Sequence, residues 1–120
     1  METNFNFNSQ VCTDKNQSER LLALGLKKET ADCYWFYCDI AKEWKCTILS
    51  STQVFKDYPT TVIPAWSLGR LLELIKHSDI CHYNDFGCIK LYIDLDDFKT
   101  CITMISYMVK EEHFNKEYLA

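Results

Sequence analysis

Residues 63–77 read IPAWSLGRLLELIKH, and the rest of the chain needs this stretch as a packing surface. Pro64 fixes its own φ and disfavours helical backbone at Ile63, so the helix begins after it. Ser67 is placed to cap the first free N–H groups. Leu68, Leu71, Leu72 and Ile75 then fall at i, i+3, i+4 and i+7, one apolar stripe, with Arg70, Glu73 and Lys76 away from its centre. Lys76 and His77 set positive charge near the C-terminal end, where the macrodipole favours it. Gly69 would cost about 1 kcal/mol against alanine in a helix interior and less this near the first turn. Trp66 precedes the cap and can fold back onto the first turn, like a hydrophobic staple. A stripe of this kind is a core-facing surface and carries no chemistry.

Toward the N-terminus, residues 1–12 form an Asn-rich arm in which Phe5 and Phe7 alternate; it is expected to be loose or to add a short edge strand. Residues 13–120 are expected to form a single domain. The first helix is expected from Thr13 or Asp14, either of which can cap it, to Leu24, with Leu21, Leu22 and Leu24 on its apolar face. Gly25 stands where a left-handed residue ends a helix, and Leu26 can pack back across that end. A short helical turn over 28–33 follows. The run YWFYCDI at 34–40 favours a pleated strand. Ala41-Lys42-Glu43 connects it to WKCTILSSTQVF at 44–55, where Trp44, Cys46 and Ile48 alternate with Lys45, Thr47 and Leu49. The two runs read as a β-hairpin whose far end is weakened by Ser50-Ser51-Thr52. Residues 56–61 form a loop, extended at Tyr58-Pro59.

Toward the C-terminus, two runs at 79–83 and 88–95 flank Asn84-Asp85-Phe86-Gly87, residues suited to a tight reversal. Ile89, Leu91, Ile93 and Leu95 form one face of the second run and Cys88, Lys90, Tyr92 and Asp94 the other, which predicts a second hairpin. A last long helix is expected from Asp96 or Asp97 to Glu112, carried by Phe98, Cys101, Ile102, Ile105, Met108 and Val109. Residues 113–120 continue or fray it. The fold class predicted is α+β: an antiparallel sheet of about four strands in two hairpins, with three main helices packed mostly on one face.

A chain of 120 residues is long enough for one core without metal or disulfide. Two prolines, three glycines and ordinary apolar content argue against disorder. The net charge of −4 argues against a nucleic-acid partner, which wants a basic face. No apolar run approaches the ~18 residues of a spanning helix, and METNFNFNSQ has no basic or apolar signal-peptide region, so the expected site is the cytoplasm of a bacterial host. Seven cysteines are many, yet the count is odd and no C-x2-C pair or H-x3–5-H motif occurs. Buried free thiols are expected, with no metal and no cofactor.

Three groups could carry chemistry. In the run Asp94-Leu95-Asp96-Asp97, Asp94 and Asp96 could share a cation, but a strand exit and helix cap explain the run better. His77, Cys81 and His82 could support nucleophilic catalysis, but neighbours on a strand point to opposite faces. Tyr34, Trp35, Phe36, Tyr37 and Trp44 could stack bases, but few basic residues accompany them, and a hydrophobic core leaving one face for a protein partner fits better. The candidate partner-binding residues are Trp35, Tyr37, Trp44 and Trp66, and no catalytic residue is assigned. No nucleotide-binding, nucleophile-elbow or zinc-protease motif is present.

Three segments carry a resemblance: Leu24-Gly25-Leu26, Thr30-Ala31-Asp32 and Pro64-Ala65-Trp66-Ser67-Leu68. Over about residues 18–112 the chain resembles small uncharacterised proteins of phages, prophages and mobile elements of gut Bacteroidota. The Asn-rich start and the cysteine count depart from that group. The resemblance implies a mobile-element origin and no particular activity. The function expected is therefore a small non-enzymatic protein-binding module, with a homodimer through Trp35 or Trp44 as a narrower form. The alternatives are a small metal-dependent or cysteine/histidine hydrolase, and a nucleic-acid-binding protein.

Overall fold

The computed structural model describes residues 10–78 and 97–120. The second hairpin expected over 79–95 and most of the N-terminal arm lie outside them. Helix α1 (Lys15–Ala23) starts where a capping box forms: Asp14 accepts the Gln17 N–H at 2.7 Å, and the Gln17 side chain accepts the Asp14 N–H at 3.0 Å. It ends as the glycine foretells. Gly25 adopts φ +103°, its N–H bonds to the Leu22 carbonyl, and the Leu26 N–H bonds to that of Leu21. Leu26 is thereby driven into the core. The C-terminal residues lie against this turn, Lys27 N–H donating to Tyr118 and Ala120 N–H to Gly25.

A short 3-10 turn (Lys28–Thr30) leads into β1 (Cys33–Cys38), which pairs antiparallel with β2 (Glu43–Ile48). The four residues between them turn with Lys42 at φ 55°, its N–H donating to the Cys38 carbonyl at 2.7 Å. On its other side β1 pairs antiparallel with β3 (Ile63–Ala65), giving the order β2-β1-β3. The sheet among the described residues is thus three-stranded, and its third strand comes from the stretch read as the approach to the central helix. Three residues containing a proline are too short for a period-2 signal, and proline is tolerated where only part of its backbone must pair.

The second strand also ends earlier than expected. It stops at Ile48, and α2 (Gln53–Asp57) follows. The Ser51 hydroxyl accepts the Gln53 N–H, and Gln53 Nε2 reaches Asp57 one turn on. Short polar side chains of this type favour turns over strand continuation.

Helix α3 (Leu68–Lys76) is capped by Ser67, which accepts the Arg70 N–H at 3.1 Å. Its deepest residues are Leu71, Leu74 and Ile75, with Leu68 and Leu72 half-buried at the sides. Helix α4 (Phe98–Lys110) is capped by Asp97, and the Thr100 N–H holds that carboxyl below its ordinary value. Phe98, Cys101, Ile102, Met104, Ile105 and Met108 of α4 face the same core, joined by Leu21, Phe55 and Trp66. The helices therefore pack against a small antiparallel sheet, through Tyr34 on the sheet side. Ile105 is fully enclosed in this core. Ile105→Ala is expected to cost about 2–5 kcal/mol, because the cavity left cannot fully collapse. Urea unfolding should show a lower midpoint at an unchanged slope.

Candidate functional site

The register of β1 against β2 determines which side chains share a face. The opposed pairs Tyr37–Trp44, Trp35–Cys46 and Cys33–Ile48 all lie on one side, because partners point the same way and neighbours alternate. Tyr34 and Phe36 lie on the other, toward the helices. On the first side, Cys12, Cys33 and Ala65 make a second small core with Trp35 and Cys46. The Trp35 indole N–H donates to the Thr13 carbonyl at 2.8 Å, tying the segment before α1 onto the sheet.

Cys12 and Cys46 are joined there as a disulfide. This corrects the expectation that the cysteines are all free thiols. Their separation in sequence concealed the pair: contact comes from the segment before α1 crossing β1 and β2. A pair so placed is oxidised in an oxidising compartment and reduced where glutathione keeps thiols reduced.

Beyond this patch the face is open. Tyr37 is 47% exposed, Trp44 37% and Ile48 76%. The Tyr37 and Trp44 rings meet edge to face, 5.9 Å between centroids at 70°. The Lys15 ammonium stands 4.4 Å from the centre of the Trp44 ring, a cation–π contact that positions the indole. The result is a fixed aromatic pair with a positive charge beside it. Lys15 went unnoticed in the sequence, where only its place in the first turn of α1 could have pointed to it.

Of the four candidate contact residues, Trp35, Tyr37 and Trp44 are brought together on this face, and Trp66 is not. Trp66 is fully buried, its indole N–H donating to the Thr30 hydroxyl at 3.0 Å and its backbone N–H to that of Thr13 at 3.1 Å. Its large apolar area is spent in the core, so it drops out of the exposed set.

A polar cluster surrounds Trp66. Asp32 accepts the Ser67 N–H at 2.8 Å with one oxygen and the Ser67 hydroxyl with the other. The Arg70 guanidinium donates to the Thr30 carbonyl at 3.1 Å. Thr13 and Ser18 share a buried hydroxyl–hydroxyl bond of 2.7 Å. The Asp32–Ser67 and Arg70–Thr30 bonds each join two chain segments. Cys33 lies beside Asp32, and its thiol is pushed up to about 11, first by burial and then by the Asp32 charge. It is a neutral, weak nucleophile near pH 7.

Of the residues considered for hydrolysis, His77 and Asp97 are among the described residues. His77 is exposed at the end of α3, and its carbonyl accepts from Asn115. Asp97 caps α4. Cys81, His82, Asp94 and Asp96 lie outside the described residues. Among the described residues, no three His, Cys, Asp or Glu side chains are grouped to hold a metal ion, and no helix is long and apolar enough to cross a membrane.

Thiol chemistry provides a direct check. Non-reducing digestion of protein purified under oxidising conditions should yield the Cys12 and Cys46 peptides linked. Alkylation of the native protein at pH 8, read site by site in a mass spectrometer, should label half-buried Cys38 well before buried Cys33. Because the Cys33 thiol is raised, its labelling should still be climbing as the pH passes 10 toward about 11. A plateau for Cys33 by about pH 10 would show an ordinary thiol.

No protein-family model, curated protein or solved structure matches this chain, so the site stands on its own geometry.

Proposed function

We propose that this chain is a small non-enzymatic module that binds a protein partner on the open face of its β1–β2 hairpin. The observation that carries this is the Tyr37–Trp44 pair: two large aromatic rings, locked edge to face and braced by Lys15, yet left substantially exposed. Interface hot spots are enriched in tyrosine and tryptophan because these rings bring much area at little entropy cost. The adjoining Lys15 ammonium suits a partner that sets an apolar side chain on the rings and a carboxylate at their border. The resemblance of residues 24–26, 30–32 and 64–68 supports an origin in a phage or mobile element, with the bacterial cytoplasm as the place of action.

The test is capture of a partner from element-bearing host cells, followed by rebinding with purified components. Trp44→Ala combined with Tyr37→Ala should weaken binding at least about tenfold, while Lys99→Ala, exposed on α4, should leave it unchanged. Equal binding by both variants would refute the hairpin surface.

A second copy of the chain is a specific form of this reading. β2 is the outer strand among the described residues. A two-fold axis through Trp44 would set Glu43 of each copy against Lys45 of the other, an antiparallel and self-complementary register. Sedimentation equilibrium should then show a dimer that Lys45→Glu weakens and Lys45→Glu with Glu43→Lys restores. A single-chain mass at working concentration rejects it.

A further inference from the structure

The opposite side of β1 carries a different feature. Pairing with β3 ends at Trp35–Ile63, while β1 runs on to Cys38. Where the two part, a groove of about 420 Å³ opens, lined by Tyr34, Phe36, Tyr58, Val54, Val62 and Asp39 among others. Tyr34 and Phe36 are neighbours on one face of the strand, their ring centroids 5.9 Å apart at 47°. Tyr58 is 56% exposed at the end of α2. Asp39 is the charged residue of the lining, and no lysine, arginine or histidine contributes to it.

We infer that this groove is a site for an alkylammonium group. Aromatic faces carry negative quadrupole potential, and a cation whose charge is spread over methyl groups gains from these faces and from the apolar walls together. Asp39 adds the matching charge. A neutral group of the same shape gains only the apolar part, and an anion is repelled. The larger groove of about 650 Å³ between α1 and β3 offers no such preference: its charged lining is Glu19, Lys27, Lys28 and Glu29, both signs, with no aromatic ring. Tyr34 and Phe36 lie on the reverse side of the strand from Trp44, while Tyr37 borders both the groove and the hairpin face.

The experiment is an NMR titration of the whole chain with three probes: choline, its neutral isostere 3,3-dimethylbutanol, and a short peptide bearing trimethyllysine. Choline should bind saturably, with its methyl protons shifted upfield by the rings, and dimethylbutanol should bind at least about threefold more weakly. Tyr58→Ala and Asp39→Asn should each weaken choline by a similar factor. Both side chains are exposed, and the backbone bonds of Tyr58 to Val54, Thr61 and Val62 survive its truncation. Lys99→Ala, exposed on α4 and outside the groove, should leave choline binding unchanged. A peptide tighter than choline assigns the site to a protein-borne ammonium, and equal affinity assigns it to a free head group. Dimethylbutanol binding as well as choline, no saturation, or insensitivity to both substitutions would overturn the inference.

Discussion

The fold turns on one carboxylate. Asp32 receives both the backbone N–H and the hydroxyl of Ser67, and so joins the approach to β1 with the end of β3 and the cap of α3. Trp66 occupies the position just before that cap and closes the same junction from inside, through Thr30 and Thr13. Hydrogen bonds to a charged acceptor are worth about 1.5–3 kcal/mol each, and an orphaned partner costs a similar amount. The junction links sheet to helix, so the core between them is registered by it. The Asp32 backbone carbonyl serves too, accepting the Leu49 N–H where β2 ends.

Seen this way, two of the segments behind the resemblance are two halves of one contact. Thr30 and Asp32 supply the acceptors, Trp66 and Ser67 the donors. A Ser–Asp pair beside a cysteine invites a catalytic reading, but the geometry gives each group a structural partner, and the thiol is raised rather than lowered. The third segment, around Gly25, is explained by backbone conformation: only a residue free of steric penalty at φ +103° can end α1 and send Leu26 inward.

Much of this frame was legible because its signals are local. Asp14, Gly25, Ser67 and Asp97 act on residues three or four positions away, and each bounds the helix its chemistry predicts. The β1–β2 hairpin was legible from its aromatic and alternating runs. What stayed hidden is non-local or too short. β3 has three residues and α2 five, less than either period needs to register. Cys12 meets Cys46, and Trp66 meets Thr30, through folding that no spacing encodes. At the candidate site, alternation and register put Trp35, Tyr37 and Trp44 on one face and Tyr34 and Phe36 on the other; residue type alone did not separate the two sets. It misplaced Trp66, because exposure depends on what covers a residue and not on its size. The groove by Tyr58 was missed for the same reason: its walls come from strand, helix and loop.

The exposure of the hairpin follows from the reach of its cover. The helical core contacts β1 at Tyr34, and the second small core stops at Trp35 and Cys46. Past those residues the two strands extend with little behind them among the described residues. A two-stranded ribbon is marginal in water by itself, so its outer half depends on cross-strand pairs. Tyr37 against Trp44, with Lys15 above the indole, supplies that support on one side. On the other, Phe36 leans against Tyr34. The rings that hold the hairpin together are therefore the ones it presents to solvent, and a polar substitution there would lose support and surface at once. That coupling is why aromatic residues occupy positions where a purely structural ribbon could use threonine or valine.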